Sequence, residues 1–271
     1  MTITTRDQLI NALGNSASRI VIDKAALTNA AAGQFFSLWT ATGVPGAGAA
    51  PGAAAVPTKA TTGALGFANQ TAPATSYIAW LATAAGNNAT NLEIHDRLAH
   101  MGGLSGTVTT SQGALSLVTN TPGADRLGDA NYSDVQWWLE IYTALGATGV
   151  NATVAVTYND DSTGNLAAIA LGATPRQGRL YPLVSAVAGK FIKAVTGVTL
   201  SATTGTAGNF GITATRQRTS VSMPLANKTE QHDWAALGLP SIPNDSCLMM
   251  LMLCSTSSTG TVRGQGKIAH G

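Results

Sequence analysis

The chain has 271 residues, enough for one large β domain or two smaller ones with a real core. Charged residues make up only 10%, against roughly 25% in an ordinary soluble domain, and the net charge is +2. That balance leaves no electrostatic footprint for nucleic acid, and so little charge implies a surface that other subunits cover.

Thr5 and Gln8 have the spacing of a capping box, and Leu9, Ile10 and Leu13 make one apolar face before Gly14 and Asn15. They predict a short helix from Arg6 to Leu13. Ser18–Ile22 has β propensity, and the apolar run with Phe35, Phe36, Leu38 and Trp39 reads as helix or strand. Gly43–Gly66, GVPGAGAAPGAAAVPTKATTGALG, has no apolar period, and Pro45, Pro51 and Pro57 deny it a ladder. In isolation it should be an extended, flexible arm that orders by lying across a neighbour, or else a surface loop.

Thr75–Thr83 and Asn91–Leu98 flank a Gly-Asn-Asn turn that favours a hairpin, with a helix over NLEIHDRLAHMGG as the competing reading. Gly106–Val118 is a further hairpin candidate, and Asp125–Asp134 is polar and loop-like. Asp134–Leu145, DVQWWLEIYTAL, is read as a strand that turns into the β-rich ATGVNATVAVTY. From Val150 to Met223, Thr and Val alternate with small residues in two hairpin-like stretches with Gly/Asn/Asp/Ser/Thr turns. Arg179–Val184, Phe191–Ala202, Phe210–Met223 and Cys247–Ser255 continue the pattern.

The expected fold is mainly β: antiparallel sheets in a β-sandwich or jelly roll, with a short N-terminal helix and a Gly/Ala/Pro-rich arm. The expected organisation is a helix and lead-in over 1–42, the arm over 43–66, and a sandwich over 67–271 with a split near 125–134.

Cys247 and Cys254 lie in CLMMLMLC, a run far too short to span a bilayer. On a strand their spacing of seven puts them on opposite faces, so buried unbridged thiols in a reducing compartment are expected. The opening MTITTRDQLINAL has no signal-peptide core, which points to cytoplasmic synthesis without membrane insertion.

No set of reactive groups stands out. Gly103-Leu104-Ser105-Gly106-Thr107 lacks the second glycine of a nucleophile elbow, and GTAGNFG at Gly205–Gly211 lies between Thr-rich strands, as a hairpin turn would. His95 and His100 lack a third ligand at a recognisable spacing, so a hydrogen-bonded His95-Asp96-Arg97 cluster is expected. NDDSTGN at Asn159–Asn165 has the oxygens of a calcium loop but no closing Glu, and is read as a turn. Arg216 and Arg218 are expected to be solvated or to face an interface. No cofactor, metal or enzymatic activity is expected. Trp137 and Trp138 are adjacent on a strand and must face opposite ways, so one should leave the core. Trp137, Trp138 and Tyr142, with Pro45, Pro51 and Pro57 of the arm, are the candidate interface residues.

LWTATGVPGAGAAPGAAAVPT, DRLAHMGGLSGTVTT, VQWWLEIYTALGATGVNATVAVTYND and VTGVTLSATTGTAGNFGIT together resemble virion structural proteins of tailed bacteriophages. The resemblance implies an auxiliary capsid protein that decorates or cements the shell. Its partners would be the major capsid protein and copies of itself, with neither nucleic acid nor membrane, in a virion assembled in the host cytoplasm. A tail or fibre component is the alternative within the particle. The major capsid protein itself fits less well, because no long charged helix is present. A carbohydrate- or host-binding module is a separate class, in which Trp138, Tyr142 or Trp80 would stack on sugar rings.

Overall fold

The computed structural model describes residues 2–15, 17–25, 30–87, 89–255 and 260–271. It is mostly β with antiparallel sheets and a small N-terminal helix, as the alternating sequence predicts. In chain order the first elements are α1 (Arg6–Asn15), β1 (Ser18–Lys24), β2 (Gln34–Ser37), β3 (Gly43–Val44), β4 (Ser76–Ala85) and β5 (Thr90–Leu104). Next come β6 (Leu115–Ser116), α2 (Ala124–Leu127), β7 (Gln136–Thr143), β8 (Val150–Tyr158), β9 (Thr163–Asn165) and β10 (Ile169–Gly172). The last are β11 (Arg179–Leu183), β12 (Ile192–Leu200), β13 (Asn209–Met223), β14 (Glu230–Asp233), α3 (Trp234–Leu237), β15 (Ser241–Ile242), β16 (Leu248–Cys254) and β17 (Val262–His270).

The chain divides into two compact units, each with its own core. The first comprises Met1–Gly48, Thr58–Asp96 and Gln217–Gly271; the second comprises Ala49–Pro57 and Arg97–Arg216. The division falls inside the Gly43–Gly66 segment, and the 125–134 region lies within the second unit.

In the first unit one sheet runs β14-β4-β17-β1-β3, with β15 also on β4, and β16 pairs with both β2 and the Thr90–Asp96 part of β5. Ile20 and Ile22 of β1, Ile78 and Leu81 of β4 and Ile268 of β17 share a core with Phe36, Leu92, Ile94, Met250 and Met252. Along β1 the buried residues alternate with exposed ones, which marks a sheet with one face inward. Helix α1 lays Leu9 and Ala12 on Ala79 and Ala269, on the outer face of the same sheet. Its start is the predicted capping box: the Gln8 amide N–H donates to Thr5 Oγ1 at 3.3 Å, and Gln8 Oε1 accepts from the Thr5 N–H at 3.1 Å.

In the second unit β10-β8-β12-β6, with β9 on β8, forms one sheet, and β11-β7-β13 forms another. Trp137, Leu139 and Ile141 of β7 and Phe210, Ile212 and Ala214 of β13 meet Val154, Val156, Val195 and Val198 of β8 and β12 in its core. This is the expected sandwich packing.

Several expected hairpins are strands with other partners. β4 pairs with β17, β14 and β15, while β5 pairs with β16, so Thr75–Thr83 and Asn91–Leu98 do not form a hairpin. The helical reading of NLEIHDRL is also replaced by strand β5. β7 and β8 belong to different sheets, as do β12 and β13, so GTAGNFG crosses between sheets where a hairpin turn was expected. Gly106–Val118 contributes only the two-residue β6, paired with β12. The stretch after β8 does fold back as predicted, with Thr157 opposite Thr163 and Ala155 opposite Asn165. The loop-like Asp125–Asp134 region contains the single turn α2.

Candidate functional site

The Gly43–Gly66 segment is held by its own chain. The Gly48 N–H donates to the Trp39 carbonyl at 2.8 Å, the Leu65 N–H to Leu248 at 2.9 Å, and Ala55 and His100 exchange backbone hydrogen bonds at 2.9 and 3.0 Å. Pro45 and Pro51 are half-buried and Pro57 is buried, so little of these prolines is presented to a partner.

Within the second unit, Ala49–Pro57 borders a buried polar layer on the face of β7 turned away from the apolar core. A Cβ on Gly102 would lie 2.6 Å from the Pro51 carbonyl oxygen and 3.2 Å from the Tyr142 ring, so the segment packs closely at this glycine. Arg97 Nη2 donates to Glu140 Oε2 at 2.7 Å, to the Tyr142 hydroxyl at 2.5 Å and to Thr213 Oγ1 at 3.2 Å, and its Nε donates to His100 Nδ1 at 2.8 Å. Thr213 Oγ1 donates to Glu140 Oε2 at 2.6 Å. Arg126, in the region read as a polar loop, is buried and donates to the carbonyls of Pro57 and Arg97 at 3.1 and 2.9 Å.

Burial and the Arg97 guanidinium lower the His100 pKa to about 2, which keeps the ring a neutral acceptor. Burial also pushes the Tyr142 phenol well above its ordinary value. Such a charged layer, with hydrogen bonds running among its members, specifies packing.

Trp137, Trp138 and Tyr142, expected at an interface, are buried in the chain at 2%, 4% and 3% exposure. Adjacent Trp137 and Trp138 do face opposite ways. The Trp137 indole N–H donates to the Ile192 carbonyl at 2.8 Å and that of Trp138 to Thr215 Oγ1 at 2.9 Å. The far face of β7 is covered by the chain's own residues, and alternation alone could not reveal that.

His95, Asp96 and Arg97 do not form the single cluster expected of them. His95 Nε2 lies 2.7 Å from Glu93, Asp96 pairs with Arg218 at 3.0 Å and accepts from the Cys247 N–H at 2.9 Å, and Arg97 turns to Glu140. The Arg218 side chain is 5% exposed, so it is neither the solvated nor the interface-facing group expected, while Arg216 pairs with Asp134 at 3.0 Å. Cys247 and Cys254 are both buried and no disulfide joins them. In the Asn159–Asn165 turn, Asp160 accepts from Ser162 and faces Lys190 at 3.0 Å, Lys193 pairs with Asp161, and the Asp160 pKa falls to about 2 through Ser162 and Lys190. Both aspartates of this turn are therefore paired with lysine ammonium groups.

Sequence reasoning missed His270. Ser18 Oγ lies 2.6 Å from its Nε2 and Ser76 Oγ 2.9 Å from its Nδ1, and burial lowers its pKa. A nucleophile–base pair needs an acid on the far ring nitrogen to stabilise the imidazolium, and a serine hydroxyl occupies that position.

One solvent-facing feature gathers aromatic and charged side chains. Trp80, Trp234, Leu13, Ala79, Asp233 and Lys267 line a shallow groove of about 360 Å³ in the first unit. Asp233 was legible as a helix cap before Trp-Ala-Ala-Leu-Gly: its Oδ1 accepts from the Ala235 and Ala236 N–H groups at 3.1 and 3.0 Å, and Gly238 closes the turn at φ 73°.

No protein-family model matches the chain, and no curated protein matches it. Among solved structures, that of infectious bursal disease virus, Gx strain, is similar at 11% identity and a TM-score of 0.20, over 93% of this chain and 79% of that one. The VP2 subviral particle of infectious bursal disease virus gives 11% identity and a TM-score of 0.16, over 94% of this chain and 80% of that one. These weak structural neighbours are viral capsid proteins. The architecture described above rests on strand pairing and the two cores. Among the described residues no helix is long and apolar enough to cross a membrane.

Proposed function

We propose that the chain is a non-enzymatic virion structural protein that decorates or cements a bacteriophage capsid through contacts with the shell protein and with copies of itself. The observation that carries this reading is the distribution of charge. Charge is already scarce, yet Lys24, Asp96, Arg97, Arg126 and Glu140 are buried, while Val118, Val184 and Val187 are 56%, 69% and 48% exposed. A dispersed monomer needs the reverse.

The exposed valines share one end of the second unit. Leu183 pairs with Trp137, whose indole bonds the Ile192 carbonyl, and the Leu117 N–H bonds the Lys193 carbonyl at 3.1 Å. The loops carrying Val118, Val184 and Val187 therefore both border the first residues of β12. A neutral, apolar end on a rigid sandwich suits repeated weak contacts multiplied by symmetry. Because the Gly43–Gly66 segment is tied to its own chain, the contacts are assigned to this end and no longer to a free arm.

Quantitative mass spectrometry of purified particles tests the proposal. Many copies per particle, in fixed ratio to the shell protein, are expected. A few copies would move the chain to the tail, and absence from particles would overturn the virion reading.

A further inference from the structure

Strands β14, β4 and β17 place Asp233, Trp80 and Lys267 in one row, since Trp80 pairs with Asp233 on one side and with Lys267 on the other. A β-bulge sits at this point: Lys267 pairs with Trp80 but Ile268 pairs with Ile78, leaving Ala79 as the extra residue. Ile78 and Leu81 both point into the core, so Ala79 and Trp80 are turned together to the outer face, where Ala79 meets α1. Trp234, 36% exposed, adds a second indole at the start of α3. The bulge re-aims a large aromatic side chain out of the core and between a carboxylate and an ammonium.

From this juxtaposition we infer that the groove is a carbohydrate site, taking a pyranose ring against the indoles, with Asp233 accepting from and Lys267 donating to its hydroxyls. Indole faces offer the flat apolar surface that the C–H face of a sugar ring covers. Asp233 uses Oδ1 for the α3 cap, and among the described residues its Oδ2 has no hydrogen bond. Lys267 donates one hydrogen to the Leu13 carbonyl at 3.1 Å, which fixes the ammonium at the end of α1 with two donors left over. Two strand spacings set the flanking residues roughly 10 Å apart. A ring with hydroxyls on opposite sides bridges that span with a hydrogen bond at each end. A small zwitterion such as glycine places both charges on one carbon and offers the indoles no ring face. A volume of about 360 Å³ is at the small end for ligand pockets, which limits the occupant to one or two rings. This site goes beyond the structural role proposed above and does not depend on it.

The test is tryptophan-fluorescence titration of the full chain with maltotriose, cellotriose and chitotriose, with glycine as the zwitterion control. At least one trisaccharide should shift the emission saturably, and Trp234→Ala should weaken that binding by roughly tenfold or more. Asp233→Asn, which keeps the helix cap, and Lys267→Gln should each weaken it without lowering the melting temperature. These two keep the proposal falsifiable if Trp234→Ala melts early. No saturable response to any of the three sugars, an equal response to glycine, or full binding by Asp233→Asn and Lys267→Gln would overturn it.

Discussion

Gly48 lies flat against the indole of Trp39, so close that a Cβ on the glycine would stand 2.3 Å from the ring atom Cε2. Trp39 is 1% exposed, so its ring is enclosed by protein, and the Gly48 N–H also bonds the Trp39 carbonyl. A segment that reads as low complexity is thus fitted to one aromatic ring. Gly48→Ala should destabilise the chain by about 1–3 kcal/mol through overpacking. Ala53→Gly, at an exposed position in the same segment, should cost less. Equal denaturation midpoints for Gly48→Ala and the wild type would show that the segment is not anchored there.

Arg97 and Glu140 form a fully buried charge pair in the second unit, with side chains 0% and 1% exposed. Removing one partner strands the other charge without solvent. Glu140→Leu and Arg97→Met are each expected to cost about 3–5 kcal/mol in chemical denaturation. The double replacement Arg97→Met, Glu140→Leu should cost clearly less than the two singles combined, because it leaves no unpaired charge. Simple additivity would mean that the layer does not act as a unit.

Lys24 is buried at the edge of the first core, where its ammonium donates to the Ala41 carbonyl at 2.9 Å and the Gly46 carbonyl at 3.4 Å. Burial lowers its pKa from 10.5 to about 8. Between those two values the unfolded chain holds a proton that the folded chain has released, so raising the pH through this window favours the fold. Below about 8 the cost of burying the charge is fully present. Denaturation midpoints measured from pH 7 to about 10.5 should therefore show the wild type gaining stability relative to Lys24→Met as pH rises. A constant difference would place the lysine in solvent.

Strand identity was legible in this sequence and strand partnership was not. Val150–Tyr158 alternates buried and exposed residues as its pattern demands. Alternation states which residues share a face, yet it is silent on which strand lies alongside. Short Gly-rich links were therefore read as hairpin turns where the chain in fact passes from one sheet to the other. Trp80 was a candidate for sugar stacking, but the bulge at Ala79 that turns it outward was not legible, because both faces of TSYIAWLAT carry apolar residues. Trp138 and Tyr142 looked like surface anchors because the residues that cover them come from distant parts of the sequence. The helix cap at Asp233 was local and could have been found.

The assembly reading rests on the exposed valines at the β12 end of the second unit. Val184 and Val187 flank Ser185, whose Oγ accepts from the Val187 N–H at 3.2 Å, a loop hydrogen bond that does not involve the valine side chains. Replacing both valines with Glu adds two charges to a nearly neutral surface while leaving the core intact. Stability should change by no more than about 0.5 kcal/mol for each substitution. Binding to a shell stripped of this protein should weaken by roughly 1 kcal/mol or more for each valine replaced, read as reduced co-sedimentation with particles. A Val184→Glu, Val187→Glu chain that melts like the wild type and still saturates the shell would show that another face binds it.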